Sequence, residues 1–477
     1  MYEAVIGLEI HAHISTQTKM FCSCSNDSFG KKPNTNVCPI CMGFPGMLPA
    51  TNKEALKKGL VTALALHCEI PQLAKFDRKN YFYPDLPSGF QISEYDEPIS
   101  KKGYVDIELD NGEKKCIRIT RLHLENDAGK LTHVAGGSLV DFNRAGAPLM
   151  EIVTEPDIRS AKEAQTFAKM IQKILRYVGS SEADMEKGMM RFDASVSTRP
   201  QGDPKLYPRA EIKNLNSFKS LETAIDYEIA RQTALWEKGE PMKVDITVGW
   251  VDADQKTQLL RDKEDSADYR YFPEPDLPPL VITPEEVAIL KKEVPELPLE
   301  RRQKFLEVYK LSQSEAEFFS EEPEIANYFQ KVVDVSKSPA KAASFLGTVL
   351  MGKLKEENKS LRDCRVSAEH LGKLIRLVNE NKISNNLAKG EVFAAMFETG
   401  EDPEVIVKKK GLKQVENSGE IEALVDQILA KNEKVVNDFK SGTKNAFGFL
   451  VGQVMKASQG KANPGMVNEM LKKKLGS

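Results

Sequence analysis

Carboxylate and imidazole side chains recur on one face of the first predicted strand. Every even position from Tyr2 to Ile14 is apolar, and alternation of that length predicts a half-buried β-strand. The opposite face carries Glu9, His11 and His13, which are groups able to ligate a metal or transfer a proton. Polar residues on one face are also typical of the solvent-exposed side of an antiparallel sheet, so this strand alone leaves both interpretations open.

Later segments repeat the pattern and make a functional face more attractive. Glu151, set between Met150 and Ile152, is costly in a strand unless it is paired or bound to a cation. Segments 117–127, 141–153, 188–197 and 209–213 place the following polar residues beside or opposite apolar ones: Arg121, His123, Glu125, Asp127, Glu151, Arg191, Asp193, Ser195, Glu211 and Lys213.

A sheet face lined in this way cannot be a hydrophobic core. Either it faces solvent or it forms a basin for hard cations and a phosphorylated ligand. Magnesium prefers oxygen ligands that it shares with substrate phosphates, and basic residues beside it would stabilise a transferring phosphoryl group. The sequence holds no Walker A motif, kinase glycine loop or dinucleotide fingerprint, so ATP would have to bind through the metal-lined sheet.

Four cysteines predict a second kind of metal site. Cys22 and Cys24 are followed, after thirteen intervening residues, by Cys38 and Cys41. Two close pairs joined by a short loop match tetrahedral thiolate coordination of Zn²⁺, with no open position for catalysis. We therefore expect a structural zinc site that staples the loop 22–41; the alternative is four unrelated reduced thiols.

Composition limits the class of protein. The 477 residues carry a net charge of −3, with 29% charged residues, so the overall charge does not indicate nucleic-acid binding. A local basic patch would nevertheless be diluted in this total. The longest apolar runs fall far short of the ~20 residues that a membrane span needs. No signal peptide is visible in front of the first strand, and we expect a cytoplasmic protein.

Proline and helical periodicity predict three domains. A proline-rich stretch near 273–284 marks the end of the β-rich part. Helices are predicted over 314–319, 324–335, 340–358, 367–381, 420–432 and 445–458. Between Lys440 and Ser477 the sequence has seven lysines and one acidic residue, Glu469. Such a charge run is often merely a solvent-exposed surface. The predicted domains are 1–283, 284–405 and 406–477.

Seven segments read as ordered motifs of one family. They are Ile6-Gly-Leu-Glu-Ile-His11, His123-Leu-Glu-Asn-Asp-Ala-Gly-Lys130, Asp141-Phe-Asn-Arg-Ala-Gly146, Met150-Glu-Ile-Val-Thr-Glu-Pro-Asp157, Met190-Arg-Phe-Asp-Ala-Ser-Val-Ser197, Glu211-Ile-Lys-Asn-Leu-Asn-Ser-Phe218 and Asp268-Tyr-Arg-Tyr-Phe-Pro-Glu-Pro-Asp-Leu-Pro278. Together they resemble the B subunits of aspartyl/glutamyl-tRNA amidotransferases, and the resemblance covers essentially the whole chain.

The resemblance implies an α+β fold: a glutamine-synthetase-like antiparallel-sheet cradle, an all-α helical domain and a small helical tail domain. It implies that the cradle uses ATP and Mg²⁺ to phosphorylate the side-chain carboxylate of glutamate misacylated onto tRNA(Gln), after which ammonia displaces the phosphate. Aspartate on tRNA(Asn) would react in the same way, and the sequence does not decide between the two substrates.

The resemblance also assigns roles to individual positions. Glu9, His11, Glu125 and Glu151 match the family's metal-binding positions, and Asp193 and Glu211 are further candidate ligands. Residue type makes Arg191, Lys213 and Arg270 candidates for phosphate or carboxylate contacts, so that the expected catalytic set is Glu125, Arg191, Lys213 and Arg270. Asn126, Phe192 and Ser195 depart from the residues expected at their positions, but none of them is a proposed metal ligand.

Ammonia must come from elsewhere. A glutaminase needs an activated nucleophile, and the sequence shows no such constellation. The resemblance implies a separate amidase chain (A) that supplies ammonia and a small third chain (C), in a heterotrimer whose lysine-rich tail contacts misacylated tRNA. Two alternatives remain: a free-standing ammonia ligase for a small carboxylate, and a zinc-stapled RNA-binding protein without catalysis.

Overall fold

The computed structural model describes residues 1–262, 269–412, 418–440, 444–458 and 461–476. Asp268 and Ser477, which begin or end segments discussed above, lie outside these ranges. The chain divides into two compact units, Met1–Pro298 and Leu299–Ser477. The first is built on β-strands and the second is helical, so the expected α+β class is confirmed. The three-domain division remains a prediction.

The described residues of the first unit form short and long strands and four helices. The strands are β1 (Tyr2–His13), β2 (Leu73–Ala74), β3 (Asp77–Asn80), β4 (Phe90–Ser93), β5 (Gly103–Glu108), β6 (Lys114–Asn126), β7 (Lys130–Val134), β8 (Gly137–Asp141), β9 (Pro148–Thr154), β10 (Met190–Pro200), β11 (Ala210–Leu215), β12 (Ile246–Val251), β13 (Lys256–Asp262), β14 (Phe272–Pro273) and β15 (Leu280–Val281). The helices are α1 (Lys53–Ala65), α2 (Ala161–Tyr177), α3 (Phe218–Glu237) and α4 (Pro284–Lys291).

Eight of these strands form one sheet in the order β13-β12-β11-β10-β1-β9-β6-β5. Every neighbouring pair is antiparallel except β11 and β12, which are parallel. The expectation of an antiparallel sheet is therefore corrected at this pair. Parallel strands need a long crossover connection, and here helix α3 lies between the two strands in the chain.

The apolar face of the sheet builds the core of the first unit. Ile6, Leu8 and Ile10 of β1 are at most 1% exposed and share one hydrophobic cluster with Phe167 and Ile171 of α2. Helix α2 begins after a serine N-cap, whose side chain accepts a backbone N–H of the first turn. Because side chains alternate along a strand, fixing the even positions of β1 in the core directs its odd positions, including the predicted ligands, to the other face.

The described residues of the second unit form helices joined by turns and loops. Its helices are α5 (Pro298–Glu307), α6 (Gln313–Glu321), α7 (Pro323–Ser336), α8 (Pro339–Ser344), α9 (Met351–Glu356), α10 (Ala368–Asn379), α11 (Asn385–Leu387), α12 (Phe393–Thr399), α13 (Pro403–Lys409), α14 (Ser418–Lys431), α15 (Glu433–Lys440), α16 (Lys444–Ala457) and α17 (Pro464–Leu475). The segments Phe345–Leu350 and Ala388–Val392 are π-helical. Among the described residues, no helix is long and apolar enough to cross a membrane.

Helices α14, α16 and α17 share a hydrophobic cluster of their own. Ile421, Val425, Leu450 and Val467 are completely buried in it. The ammonium of Lys474, near the end of α17, pairs with two carboxylates of α14, one of them at 2.6 Å. One of the seven C-terminal lysines is thus neutralised within the chain.

Candidate active site

The strand register brings titratable side chains from distant parts of the chain into one row. His11 of β1 lies opposite Glu151 of β9 on one side and Arg191 of β10 on the other. Glu151 in turn lies opposite His123 of β6. Directly paired residues of antiparallel strands have Cβ atoms about 4.5–5.5 Å apart and point to the same face. Four adjacent strands therefore present a cation, two imidazoles and a carboxylate side by side.

Glu151 is the centre of this row. Its Oε2 lies 3.3 Å from His11 Nε2 and 3.3 Å from His123 Nε2. Glu125, one pleat further along β6, lies 4.0 Å from His11 Nε2 and 3.8 Å from His123 Nε2. One ligand atom each from His11, Glu125 and Glu151 falls within 4.8 Å of the others. These three residues, hereafter the carboxylate cluster, could hold one metal ion.

Burial and charge compete in the carboxylate cluster, and charge prevails. Burial disfavours an imidazolium, but the carboxylates of Glu151 and Glu125 outweigh this and raise the pKa of His123 to about 9 and also raise the pKa of His11. Burial equally disfavours a carboxylate, yet the histidines hold the pKa of Glu151 well below its usual range. A divalent cation would substitute for these protons, because metal ligands bind in their deprotonated forms.

A second group of charges surrounds Lys213 of β11. Its Nζ lies 2.5 Å from Glu211, 2.8 Å from Asp193 and 3.9 Å from Glu9. Burial opposes the ammonium charge, but these carboxylates raise the pKa of Lys213. The pKa of Glu9 is raised by burial and by the nearby Glu151 carboxylate. Lys213 thus neutralises carboxylates that were expected to be metal ligands.

Arg191 is held by a different carboxylate. Asp127 Oδ1 lies 3.5 Å from Arg191, and its Oδ2 lies 3.3 Å from Arg144 and 2.7 Å from His13 Nε2. Burial opposes ionisation of Asp127, but the two guanidinium groups and the imidazole hold its pKa well below its usual range. Arg191 is therefore oriented by a carboxylate that does not belong to the carboxylate cluster.

These groups line one cavity of about 360 Å³. The predicted site residues of the sheet all line it: Glu9, His11, Glu125, Glu151, Arg191, Asp193, Glu211 and Lys213. Arg121 and Asp127, which the strand pattern also places on the polar face, line it as well. Lys79, Tyr81, Gln91 and Tyr269 line it too, and the sequence assigns them no role in the site. Arg270 follows Tyr269 in the chain; it is exposed and is not among the described residues that line the cavity.

Lys79 and Tyr81 come from a segment whose composition gives a signal. Residues 75–89 are rich in cations and aromatics, which suits either a loop that binds an anion or planar ring, or an ordinary surface turn. Lys79 lies on β3 and packs over the Tyr269 ring at 5.1 Å. Burial opposes the ammonium charge, but the surrounding groups, with the Glu125 carboxylate first among them and Glu151 also contributing, together raise the pKa of Lys79. The cavity therefore has a second cationic wall.

The donor set of the cavity fits a hard cation. Glu125 and Glu151 offer carboxylate oxygens, which Mg²⁺ prefers. His11 Nδ1 is buried and has no hydrogen-bond partner within the described parts of the chain. A buried ring nitrogen that the described chain leaves unsatisfied is expected where a water or an ion binds.

The four predicted cysteine ligands come together in the loop after β1. One sulfur each from Cys22, Cys24, Cys38 and Cys41 lies within 4.8 Å of all the others. Zn–S bonds of about 2.3 Å imply sulfur atoms roughly 3.8 Å apart in a tetrahedron. The quartet, hereafter the cysteine cluster, therefore fits a metal such as zinc. The hydrogen bond between Cys22 and Cys41 lowers the pKa of the Cys41 thiol and raises that of Cys22, so Cys41 is the sulfur of this pair that more readily forms the thiolate that binds a metal.

The residues that depart from the expected pattern have structural roles. Asn126 Oδ1 accepts the N–H of Ile92 at 2.8 Å and so joins β4 to the end of β6. Phe192 is completely buried and packs against Phe218. Ser195 lies opposite a cavity residue of β11 in the strand register. None of the three removes a charge from the cavity.

Comparison with known proteins covers nearly the whole chain. Residues 4–288 match the family described as the GatB/GatE catalytic domain, and residues 327–475 match the GatB domain. Three similar proteins come from Carboxydothermus hydrogenoformans (46% identical over 479 residues, 99% of each chain), Persephonella marina (47% over 475 residues, 99% of each chain) and Thermodesulfovibrio yellowstonii (46% over 471 residues, 98% of each chain). Each of them is named as the B subunit of an aspartyl/glutamyl-tRNA(Asn/Gln) amidotransferase.

Proposed function

The chain belongs to the family of aspartyl/glutamyl-tRNA(Asn/Gln) amidotransferase B subunits, and from this membership we propose that it carries out the ATP-dependent amidation of misacylated tRNA. The observation that carries the proposal is the buried carboxylate cluster at a cavity that also presents Lys79, Arg191 and Lys213. A phosphoryl-transfer site needs this combination of hard-cation ligands and cationic side chains.

The proposed reaction has two steps. A side-chain carboxylate oxygen of the tRNA-bound glutamate or aspartate attacks the γ-phosphorus of ATP, the bond to the β-phosphate oxygen breaks, and ADP leaves. Ammonia then attacks the carbonyl carbon of the acyl phosphate, inorganic phosphate leaves, and the nitrogen loses a proton. The first step converts a poor leaving group into a good one.

Bound Mg²⁺ would supply charge neutralisation for the phosphates. The residues proposed to hold it are His11, Glu125 and Glu151 of the carboxylate cluster, with Glu9, Asp193 and Glu211, which also surround Lys213, as further candidate ligands. The cationic side chains act on the substrates themselves. Lys213 and Arg191 are fixed by carboxylates on the sheet, so they can stabilise charge that develops on the phosphoryl oxygens without reorganising. Lys79 faces the same cavity from β3 and is a further candidate for this role.

The ammonia source is proposed to be a partner. Four of the seven cysteines form the cysteine cluster, and hydrolysis of glutamine requires an activated nucleophile. We propose that an amidase partner (A) releases ammonia from glutamine and that a small partner (C) completes a heterotrimer. The lysines near the C-terminus would contact tRNA phosphates, which gives salt-dependent and weakly sequence-specific affinity.

The test uses the chain assembled with its amidase and small partners, misacylated glutamyl-tRNA, Mg²⁺, labelled ATP and free ammonia. Amidated tRNA should form with stoichiometric ADP. Glu125→Ala should abolish amidation while glutamine hydrolysis by the complex largely persists. Glu3→Gln is the matched control, because Glu3 lies on β1 outside the cavity and pairs with Arg199; it should leave amidation unchanged.

Other outcomes distinguish the alternatives. ATP turnover that is indifferent to tRNA would indicate a free-standing ligase. If the complex assembles but does not turn over ATP, the remaining interpretation is an RNA-binding protein without catalysis. Loss of both amidation and glutamine hydrolysis in an assembled Glu125→Ala complex would contradict the proposed division of labour.

A further inference from the structure

Lys19 is a buried cation that the proposed reaction does not use. It is 1% exposed and lies between β1 and the first residue of the cysteine cluster. Burying an ammonium group is expensive unless hydrogen bonds or opposite charges compensate it. Its Nζ donates a hydrogen bond to the carbonyl of Asn36 at 2.9 Å and lies 3.6 Å from Cys41 Sγ.

The contact with Cys41 indicates that the charge of the Lys19 ammonium is balanced by a sulfur of the cysteine cluster. Cys41 Sγ also accepts the backbone N–H of Cys38 at 3.2 Å. Two donors from the chain, one of them a cation, therefore converge on one sulfur of the cysteine cluster. Hydrogen bonds from a cationic donor to an anionic acceptor are stronger than those between neutral groups, so this geometry suits a thiolate that is bound to a metal.

The net charge of a zinc site with four thiolates explains why a cation would lie beside Cys41. A Zn²⁺ ion bound by four thiolates leaves a net charge of −2 in the site, and one adjacent ammonium would halve it. We propose that Lys19 is the charge-balancing residue of the cysteine cluster, and that its ammonium donates to the Cys41 sulfur and so helps to retain the metal. Groups that hydrogen-bond to metal ligands commonly tune a metal site in this way.

The position of Lys19 also links the cysteine cluster to the cavity. Its neighbour Met20 donates its backbone N–H to the carbonyl of Gly146 at 2.8 Å, and the N–H of Gly146 donates to the carbonyl of Asp127 at 2.9 Å. Asp127 is the residue that orients Arg191. A side chain at Gly146 would place its Cβ 3.3 Å from Cys41 Cβ and 3.5 Å from Lys19 Cδ, so the three segments pack closely. Lys19 is thus a positioning residue rather than a catalytic one.

The test is zinc retention by the full chain, measured by competition with a chromogenic chelator. Lys19→Met removes the charge but keeps the length of the side chain, and should lower zinc affinity about 10- to 100-fold, the range typical for partners of metal ligands. In the Co²⁺-substituted protein, the sulfur-to-metal charge-transfer band should move to lower energy in Lys19→Met, because the sulfur loses a hydrogen bond. Lys19→Arg should restore both readouts in part.

Lys58→Met is the matched control. Lys58 also donates to a backbone carbonyl near the end of β1, that of Ser15, but its ionic partner is Glu54 rather than a sulfur. The substitution should leave zinc affinity and the cobalt spectrum unchanged. A folded Lys19→Met protein with wild-type zinc affinity and an unshifted cobalt band would overturn the proposal.

A second measurement covers the case in which Lys19→Met does not fold. In the natural chain, an amine-acylating reagent followed by peptide mass spectrometry should modify Lys19 only after zinc has been removed. Equal modification with and without zinc would show that the Asn36 carbonyl alone holds the ammonium, and would also overturn the proposal. These readouts do not involve ATP or tRNA, so their failure is separable from failure of the proposed function.

Discussion

The cysteine cluster and the carboxylate cluster gather metal-ligating atoms within the same 4.8 Å, but they do so in opposite ways. The four sulfurs come from the one loop 22–41, whereas His11, Glu125 and Glu151 come from three strands. The cysteines are partly exposed, and the carboxylates are at most 8% exposed beside a cavity of about 360 Å³.

This difference separates a closed site from an open one. Four thiolates complete a tetrahedron and leave no position for a substrate, which is typical of structural zinc. Three ligands leave several positions of a six-coordinate Mg²⁺ available for water and phosphate oxygens. The open cluster is also surrounded by Lys79, Arg191 and Lys213, which a purely structural ion does not need.

The largest effect is expected at the centre of the open cluster. Glu151→Gln keeps the shape of the side chain but removes the charge that both histidines contact. We expect amidation to fall by roughly a thousandfold, the upper end of the range for loss of a preorganised electrostatic group, while zinc content stays unchanged. Single-turnover amidation and metal analysis of the same preparation measure the two. Amidation at nearly the wild-type rate would contradict the assignment of Glu151 to the active site.

Lys213→Met should have the next largest effect. Because Lys213 is fixed by Asp193 and Glu211, its loss removes a cation and leaves two carboxylates without it. We expect amidation to fall by about a hundredfold, with a larger change in kcat than in KM for ATP. Lys256→Met, at a residue paired with exposed Asp254, is the control. A change confined to KM would assign Lys213 to ground-state binding instead.

Strand patterns in the sequence predict most members of the carboxylate cluster, but they do not predict its geometry. Period-two spacing places Glu9 and His11 on one face of β1 and Glu125 on the polar face of β6, and a lone carboxylate in an apolar run singles out Glu151. Which residues lie opposite one another depends on strand register, which long-range pairing fixes. For that reason Glu151 emerges as the central residue only in the structure.

Short elements and irregular helices escape prediction from the sequence. Lys79 lies on a strand of four residues, too short for a periodic signal, so its neighbourhood reads only as a loop of unusual composition. The helix predicted over 340–358 contains a π-helical segment, Phe345–Leu350, which shifts the hydrogen-bond pattern without removing the apolar spacing that predicts a helix. The cysteine cluster, in contrast, is predicted in full because its members are close in sequence.

Cys41→Ser tests the closed cluster and should affect the reaction less. Loss of one thiolate should release zinc and lower the thermal stability of the first unit, because metal binding energy contributes directly to folding. Amidation measured below the unfolding temperature should fall by less than the roughly hundredfold effect expected for a charge in the cavity. Zinc analysis, thermal unfolding and the amidation assay together make the comparison. A fall as large as that of Glu151→Gln would mean that the two clusters are functionally inseparable.

The smallest effect is expected at Glu94, which sharpens the contrast with Glu125. Both are 2% exposed, but His123 and Lys79 stabilise the charge of Glu125 and help to lower its pKa, whereas Glu94 Oε2 accepts the N–H groups of Ile99 and Leu124. Burial outweighs these two hydrogen bonds and raises the pKa of Glu94 to about 8.

A raised pKa in the folded state makes stability depend on pH in a definite direction. Between the ordinary glutamate pKa of 4.5 and about 8, the folded chain holds a proton at Glu94 that the unfolded chain has lost, so stability falls as pH rises through this window. Glu94→Gln cannot ionise and should remove up to about 1.4 kcal/mol of that fall per pH unit. Urea unfolding of the first unit measures it at about pH 5.5 and 7, which lie inside the window, and at about pH 8.5, which lies above it. Glu113→Gln, at an exposed residue, is the control. Parallel stability curves for Glu94→Gln and the natural chain would mean that Glu94 is already ionised in the fold, and that its protonation state does not distinguish it from Glu125.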